Sequence, residues 1–164
     1  MVKRNRKKLS GNGKNLRKNL RKNLKEKINI IYYIMNLIDA VENNDIRLVQ
    51  KLLDSGVDIN IISNDGDTAL NYASVNGNLE IVRLLLKNRA DPNIQNDFGW
   101  TALMIATNEE NTETKETVRL LLEKGADPNI ISNDGDTALI QAITEENTET
   151  TETVRLLLEN GANP

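Results

Sequence analysis

Carboxylates are the side chains of this sequence that could do acid-base or metal chemistry. Asp and Glu together number 24, whereas cysteine and histidine are absent, which removes thiolate and imidazole ligands, a cysteine nucleophile and the commonest general base. The adjacent acids Glu109-Glu110 and Glu145-Glu146 stand at equivalent places in two nearly identical segments, so we interpret them as solvated surface rather than as catalytic pairs. We therefore predict that the chain is not an enzyme and has no catalytic residue, metal site, cofactor or small-molecule substrate.

A short motif recurs three times and sets the period of the chain. It reads Gly-Asp-Thr-Ala-Leu-Asn-Tyr-Ala from Gly66, Gly-Trp-Thr-Ala-Leu-Met-Ile-Ala from Gly99 and Gly-Asp-Thr-Ala-Leu-Ile-Gln-Ala from Gly135, in steps of 33 and 36 residues. A second marker of the type Ala-Asp-Pro-Asn keeps step with it near the end of each unit. A fixed period in the thirties predicts a stacked array, in which each unit buries its apolar face against its neighbours.

The motif, the following Val-Arg-Leu-Leu-Leu and the closing Gly-Ala-Asp-Pro-Asn together resemble the ankyrin repeat, whose signature opens Thr-Pro-Leu-His-x-Ala. The resemblance covers about 130 of the 164 residues. It implies an all-α solenoid of stacked helix-turn-helix units with hairpin-like fingers between them. It also implies a scaffold that binds proteins, with specificity in its variable positions.

Charge divides the chain into two regions. Residues 1–27 carry 12 Lys or Arg against one acid, Glu26, for a charge of +11, whereas residues 28–164 carry 9 basic against 23 acidic residues, for −14. We expect a basic, low-complexity and disordered extension over 1–27 and an ankyrin array over 28–164. The predicted repeats are 35–61, 62–94, 95–130 and 131–164.

The most apolar window, residues 28–38, is too short to cross a membrane. Its register instead places Leu37 with Leu70 and Ala40 with Ala73, so we expect it to lead into the first repeat. Because Met35 stands at the start of that repeat, it is an alternative first residue for translation.

Leucines in the basic extension offer an alternative function. Leu16, Leu20 and Leu24 recur every four residues and would form one apolar stripe among cations if the segment is helical. Such a segment could bind nucleic acid or an anionic membrane weakly and without specificity, since no aromatic residue is available there for base stacking.

Departures from the ankyrin consensus predict local differences between the repeats. Arg89 stands where the other units have a glycine that ends the outer helix, and a side chain in the left-handed conformation costs roughly 1 kcal/mol. The signature His is replaced by Asn71, Met104 and Ile140, so only Asn71 can keep the hydrogen bond to the motif Thr. We also expect the leucine-rich stretch 154–158 of the last repeat to lack a polar cap.

The resemblance places the binding surface on the finger tips and on the exposed, concave face of the inner helices. The residues of this sequence at those positions are Asp65, Asp67, Asp97, Phe98, Trp100, Asn108, Glu109, Asp134, Asp136 and Glu145. The only Phe and the only Trp both lie on the third finger and are typical interface anchors, although either could instead pack against a neighbouring finger. The acids favour a basic protein partner. Absence of cysteine suits a reducing, intracellular (cytoplasmic) location, and delivery into a host cell stays open.

Overall fold

The computed structural model describes residues 15–25, 37–108, 114–144 and 150–164. The chain divides into two compact units, Met1–Tyr33 and Ile34–Pro164. In the smaller unit, residues 15–25 form a helix, where low complexity had predicted no regular structure. Strongly helix-forming Leu, Lys and Arg make up most of this segment, which explains its helicity.

The larger unit consists of repeats that each contribute an inner and an outer helix. The inner helices are 37–42, as far as the described residues reach, Ala69–Val75, Ala102–Asn108 and Ala138–Thr144, and the outer helices are Ile46–Asp54, Leu79–Lys87, Thr114–Glu123 and Thr150–Glu159. From the second repeat onward each inner helix contacts its own outer helix and the next inner helix, and successive outer helices contact one another. The predicted all-α repeat fold is confirmed.

Polar side chains fix where the helices begin. Thr68 lies just before an inner helix, and its hydroxyl accepts a 3.2 Å hydrogen bond from the backbone N–H of Asn71. Asp45 and Asn78 cap the first two outer helices in the same way. Each such cap satisfies an otherwise unpaired N–H and contributes about 1 kcal/mol.

The core runs through the repeats as one cluster of small and branched apolar side chains. Leu37 and Ala40 are buried, as their register with Leu70 and Ala73 predicted. Leu85 and its counterpart Leu121 in the next outer helix are likewise fully buried. Since each repeat buries its apolar face on its neighbours, stability is shared along the stack.

The turn after the second outer helix is strained. Gly56, Gly125 and Gly161 end their outer helices with φ between 80° and 90°, and Arg89 occupies the same position with φ of 69°. The prediction of a left-handed arginine is confirmed. It persists because the turn is fixed by hydrogen bonds from the N–H groups of Arg89 and Ala90 to the last carbonyls of the helix.

The leucines of residues 154–158 differ in burial. Leu156 and Leu157 are buried, because their helix packs on its own inner helix and on the preceding outer helix; Leu158 alone of these leucines is exposed, at 46 %. Ile140 and Ile143 of the inner helix are also exposed, at 43 % and 59 %. In earlier repeats the equivalent positions are covered by the next inner helix, which explains the difference.

Candidate protein-binding surface

Three hairpin-like fingers connect the repeats, and each is closed by a main-chain hydrogen bond between its first and last residue. Each finger takes the number of the repeat that it begins. In the second finger, Ser63–Asp67, the N–H of Ser63 donates to the carbonyl of Asp67 at 2.8 Å. The corresponding bond is 3.0 Å in the third finger, Asn96–Trp100, and 2.8 Å in the fourth, Ser132–Asp136. A glycine in the left-handed conformation makes each tip possible. The hairpin-like fingers implied by the resemblance are therefore present.

The first side chain of each finger organises its tip. Oδ1 of Asn96 accepts hydrogen bonds from the N–H groups of Phe98 at 3.0 Å and Trp100 at 2.9 Å. Oγ of Ser63 accepts from the corresponding two N–H groups of its own finger, at 3.3 and 3.2 Å. These residues were not among the predicted site residues, although a Ser or Asn three positions before each finger glycine is a recognisable turn former.

Neighbouring fingers are bonded to one another. The N–H of Asp97 donates to the carbonyl of Asp65 at 3.3 Å, and Asn133 donates from its N–H to the carbonyl of Phe98 at 3.1 Å and from Nδ2 to that of Asp97 at 2.8 Å. Gly66 permits this approach, because a Cβ at that position would lie 2.6 Å from a carboxylate oxygen of Asp97. The tips therefore form one continuous row.

The two aromatic residues of the third finger differ in environment. Phe98 lies at the tip and is 65 % exposed. Trp100 is half-buried and packs against the hydrophobic core. The alternative that an aromatic side chain packs within the array thus describes Trp100, whereas Phe98 is available to a partner.

The five aspartates predicted on the fingers fall into two groups. Asp65, Asp97 and Asp134 are exposed, and within the described part of the chain none of them has an ion-pair partner. Asp67 and Asp136 are half-buried and bonded to side chains of the array: Asp67 accepts from the amide of Asn71 at 3.0 Å, and Asp136 from that of Gln141 at 2.9 Å.

The remaining predicted residues belong to the turns after the inner helices. Asn108 ends the third inner helix, and its side chain is outside the described residues, as are Glu109 and Glu145 altogether. The second repeat shows the equivalent region, where Val75 is 46 % exposed and Asn76 is exposed beside it. There the last residue of the inner helix and the start of the turn are open to solvent, whereas the preceding residues of that helix are buried or half-buried.

Several charges on the last three outer helices are paired, in contrast to the exposed aspartates at the finger tips. Arg155 contacts Glu152 through two hydrogen bonds of 2.7 and 3.0 Å, and this bidentate contact lowers the pKa of the Glu152 carboxyl. Arg119 lies 3.9 Å from the same carboxylate, and Arg83 lies 3.9 Å from Glu116. Glu116 and Glu152 therefore have cationic neighbours, which the exposed Asp65, Asp97 and Asp134 of the fingers lack within the described residues.

Other kinds of site have no support among the described residues. They contain no group of three or more acidic side chains placed to hold a metal ion. Nor does that part of the chain include a helix both long and apolar enough to cross a membrane.

Comparison with known proteins agrees with the geometry. A family model described as ankyrin repeats (3 copies) matches residues 37–129 and again residues 80–164. A search of curated proteins finds no match.

Proposed function

Because the chain belongs to the ankyrin repeat family, whose repeats generally mediate protein–protein interactions, we propose that it is a non-catalytic scaffold for a basic protein partner. The partner binds the row of finger tips and the inner-helix face beside it. Phe98 is its central apolar contact, and Asp65, Asp97 and Asp134 form the acidic surround.

The observation that carries the proposal is the exposure of Phe98 on a fixed tip. An aromatic side chain left 65 % exposed contributes little to the fold, yet its backbone is fixed by Asn96 and by the fourth finger through Asn133. A partner that covers it gains the burial of a phenylalanine, worth about 1.5–3 kcal/mol, without the cost of ordering a loop. Such rigid, exposed aromatics are the usual hot spots of interfaces.

The charge around Phe98 indicates the chemistry of the partner. Three exposed carboxylates without cations produce a negative potential that favours Lys and Arg and accelerates their approach at low salt. The same exposure supports a non-catalytic role, because a carboxyl group used as a general acid needs a sheltered site that raises its pKa.

Affinity capture from nuclease-treated cell lysate tests the proposal. The tagged full chain is compared with Phe98→Ala, with the triple variant Asp65→Asn/Asp97→Asn/Asp134→Asn, and with Leu158→Ala as a matched control. Leu158 is 46 % exposed on the outer helix of the last repeat, away from the fingers. We expect one set of proteins to be retained by the wild type and the control and lost from both finger variants. Equal retention by all four chains would remove the fingers as the binding surface.

A further inference from the structure

The helix of residues 15–25 presents a row of leucines to solvent. Leu16, Leu20 and Leu24 are 63 %, 60 % and 60 % exposed. At 100° per residue, positions four apart advance by about 40°, so the three side chains share a sector of about 80° on one face of the helix. A contiguous exposed apolar row is typical of a surface that another apolar surface covers.

Cations occupy much of the remaining circumference. The helix has five of them and no acidic residue, and all five are exposed; they are Arg17, Lys18, Arg21, Lys22 and Lys25. They lie between about 100° and 240° from Leu16, next to and opposite the leucines, whereas the asparagines Asn15, Asn19 and Asn23 fill the other flank. The helix is therefore amphipathic, with a charged face of one sign.

We propose that this helix binds the surface of an anionic phospholipid membrane. The leucines enter the boundary between headgroups and acyl chains, and the cations contact lipid phosphates and carboxylates. At about 16 Å the helix is much shorter than the roughly 30 Å apolar thickness of a bilayer, so it lies along the surface and does not cross it. With three leucines, binding is weak and reversible, and it decreases as salt screens the charges.

The leucine row favours lipid over nucleic acid as the occupant. Contact with nucleic-acid phosphates would use the cations and leave Leu16, Leu20 and Leu24 in water. Base stacking would require aromatic side chains, which residues 1–27 lack. A membrane satisfies both the charged and the apolar face of the same helix.

This function is separate from the proposed function of the array. The helix and the fingers belong to different units of the chain, and the residues that carry each are different. Each activity can accordingly be removed without the other.

Co-sedimentation of the full chain with lipid vesicles tests the inference. The vesicles are phosphatidylcholine alone, or phosphatidylcholine with about 30 % phosphatidylserine to supply a negative surface potential. We expect binding to the anionic vesicles that decreases with added salt, and none to the neutral vesicles. A short DNA duplex is measured in parallel, and binding to DNA without binding to anionic vesicles would overturn the inference.

Two triple variants separate apolar insertion from charge alone. Leu16→Ala/Leu20→Ala/Leu24→Ala keeps every charge and substitutes the strongest helix former, so it removes apolar area without weakening the helix. We expect it to lower vesicle affinity about tenfold or more. Asn15→Ala/Asn19→Ala/Asn23→Ala, the matched control on the adjacent flank, should bind as well as the wild type or better. Equal vesicle binding by the leucine variant and this control would show that the leucines do not enter the membrane.

Discussion

The side-chain amide of Asn96 donates a 2.8 Å hydrogen bond to the carboxylate of Asp67, and this contact joins the third finger to the second. The same carboxylate accepts from Asn71, whose Oδ1 in turn accepts a 2.8 Å hydrogen bond from the hydroxyl of Thr68. The predicted Thr68–Asn71 contact is thereby confirmed. Asp67, which was predicted to contact the partner, therefore also links the second finger to the third.

Replacement of Asp67 by Ala should lower the free energy of unfolding by about 1–3 kcal/mol. The reason is that two amides, of Asn71 and Asn96, would lose their acceptor in a partly buried position. Asp65→Ala, two residues away and exposed, is the control and should change stability by less than about 0.5 kcal/mol. Urea unfolding of both variants measures the difference, and equal stabilities would contradict the structural role of Asp67.

Gly66→Ala should destabilise the array more than Gly135→Ala. Both glycines are left-handed, with φ of 77° and 90°, so each alanine incurs roughly 1 kcal/mol of backbone strain. Only at Gly66 would the new Cβ also collide with the next finger, 2.6 Å from a carboxylate oxygen and 2.7 Å from the backbone nitrogen of Asp97. Thermal unfolding should show the larger fall in Tm for Gly66→Ala; the reverse order would mean that the fingers are not in close contact.

Substitution of Arg89 by Gly should stabilise the protein by about 1 kcal/mol. Glycine adopts the left-handed conformation without the Cβ clash that an arginine with φ of 69° incurs. Arg89→Lys keeps both the charge and the strain and should leave stability unchanged. If the two variants unfold at the same urea concentration, the turn is not strained by its side chain.

Truncation to alanine at the same repeat position should lower the free energy of unfolding by different amounts in the third and fourth repeats. Met104 is 1 % exposed beneath the following repeat, whereas its counterpart Ile140 is 43 % exposed. We expect Met104→Ala to cost about 2–5 kcal/mol because it opens a cavity, and Ile140→Ala to cost less than about 1 kcal/mol. Similar losses, measured by chemical unfolding, would indicate that the face at Ile140 is covered in solution.

Sequence periodicity predicted most of the fold because every repeat has the same kinds of residue at the same spacing. The motif Thr begins an inner helix, branched apolar residues at helical spacing fill the core, and a left-handed residue ends the outer helix. These features depend on residues close together in the chain. Their positions could therefore be read from one repeat and transferred to the next.

The candidate site was less predictable, because exposure depends on contacts between repeats. Asp67 and Asp65 lie two residues apart on one finger, yet Asn96, 29 residues later, binds the first and leaves the second in water. Likewise, Trp100 and Phe98 are both aromatic residues of one finger, and only the packed array shows which one is covered. The exposure of individual finger residues could therefore be established only from the structure.

The most direct test of the proposed scaffold is the dissociation constant of the captured partner, measured for the wild type, Phe98→Ala and Leu158→Ala. We expect Phe98→Ala to weaken binding about thirtyfold, corresponding to roughly 2 kcal/mol, because it removes the exposed aromatic contact. Leu158→Ala should bind within about twofold of the wild type. An unchanged dissociation constant for Phe98→Ala, or an equal loss in both variants, would contradict the placement of the interface on the third finger.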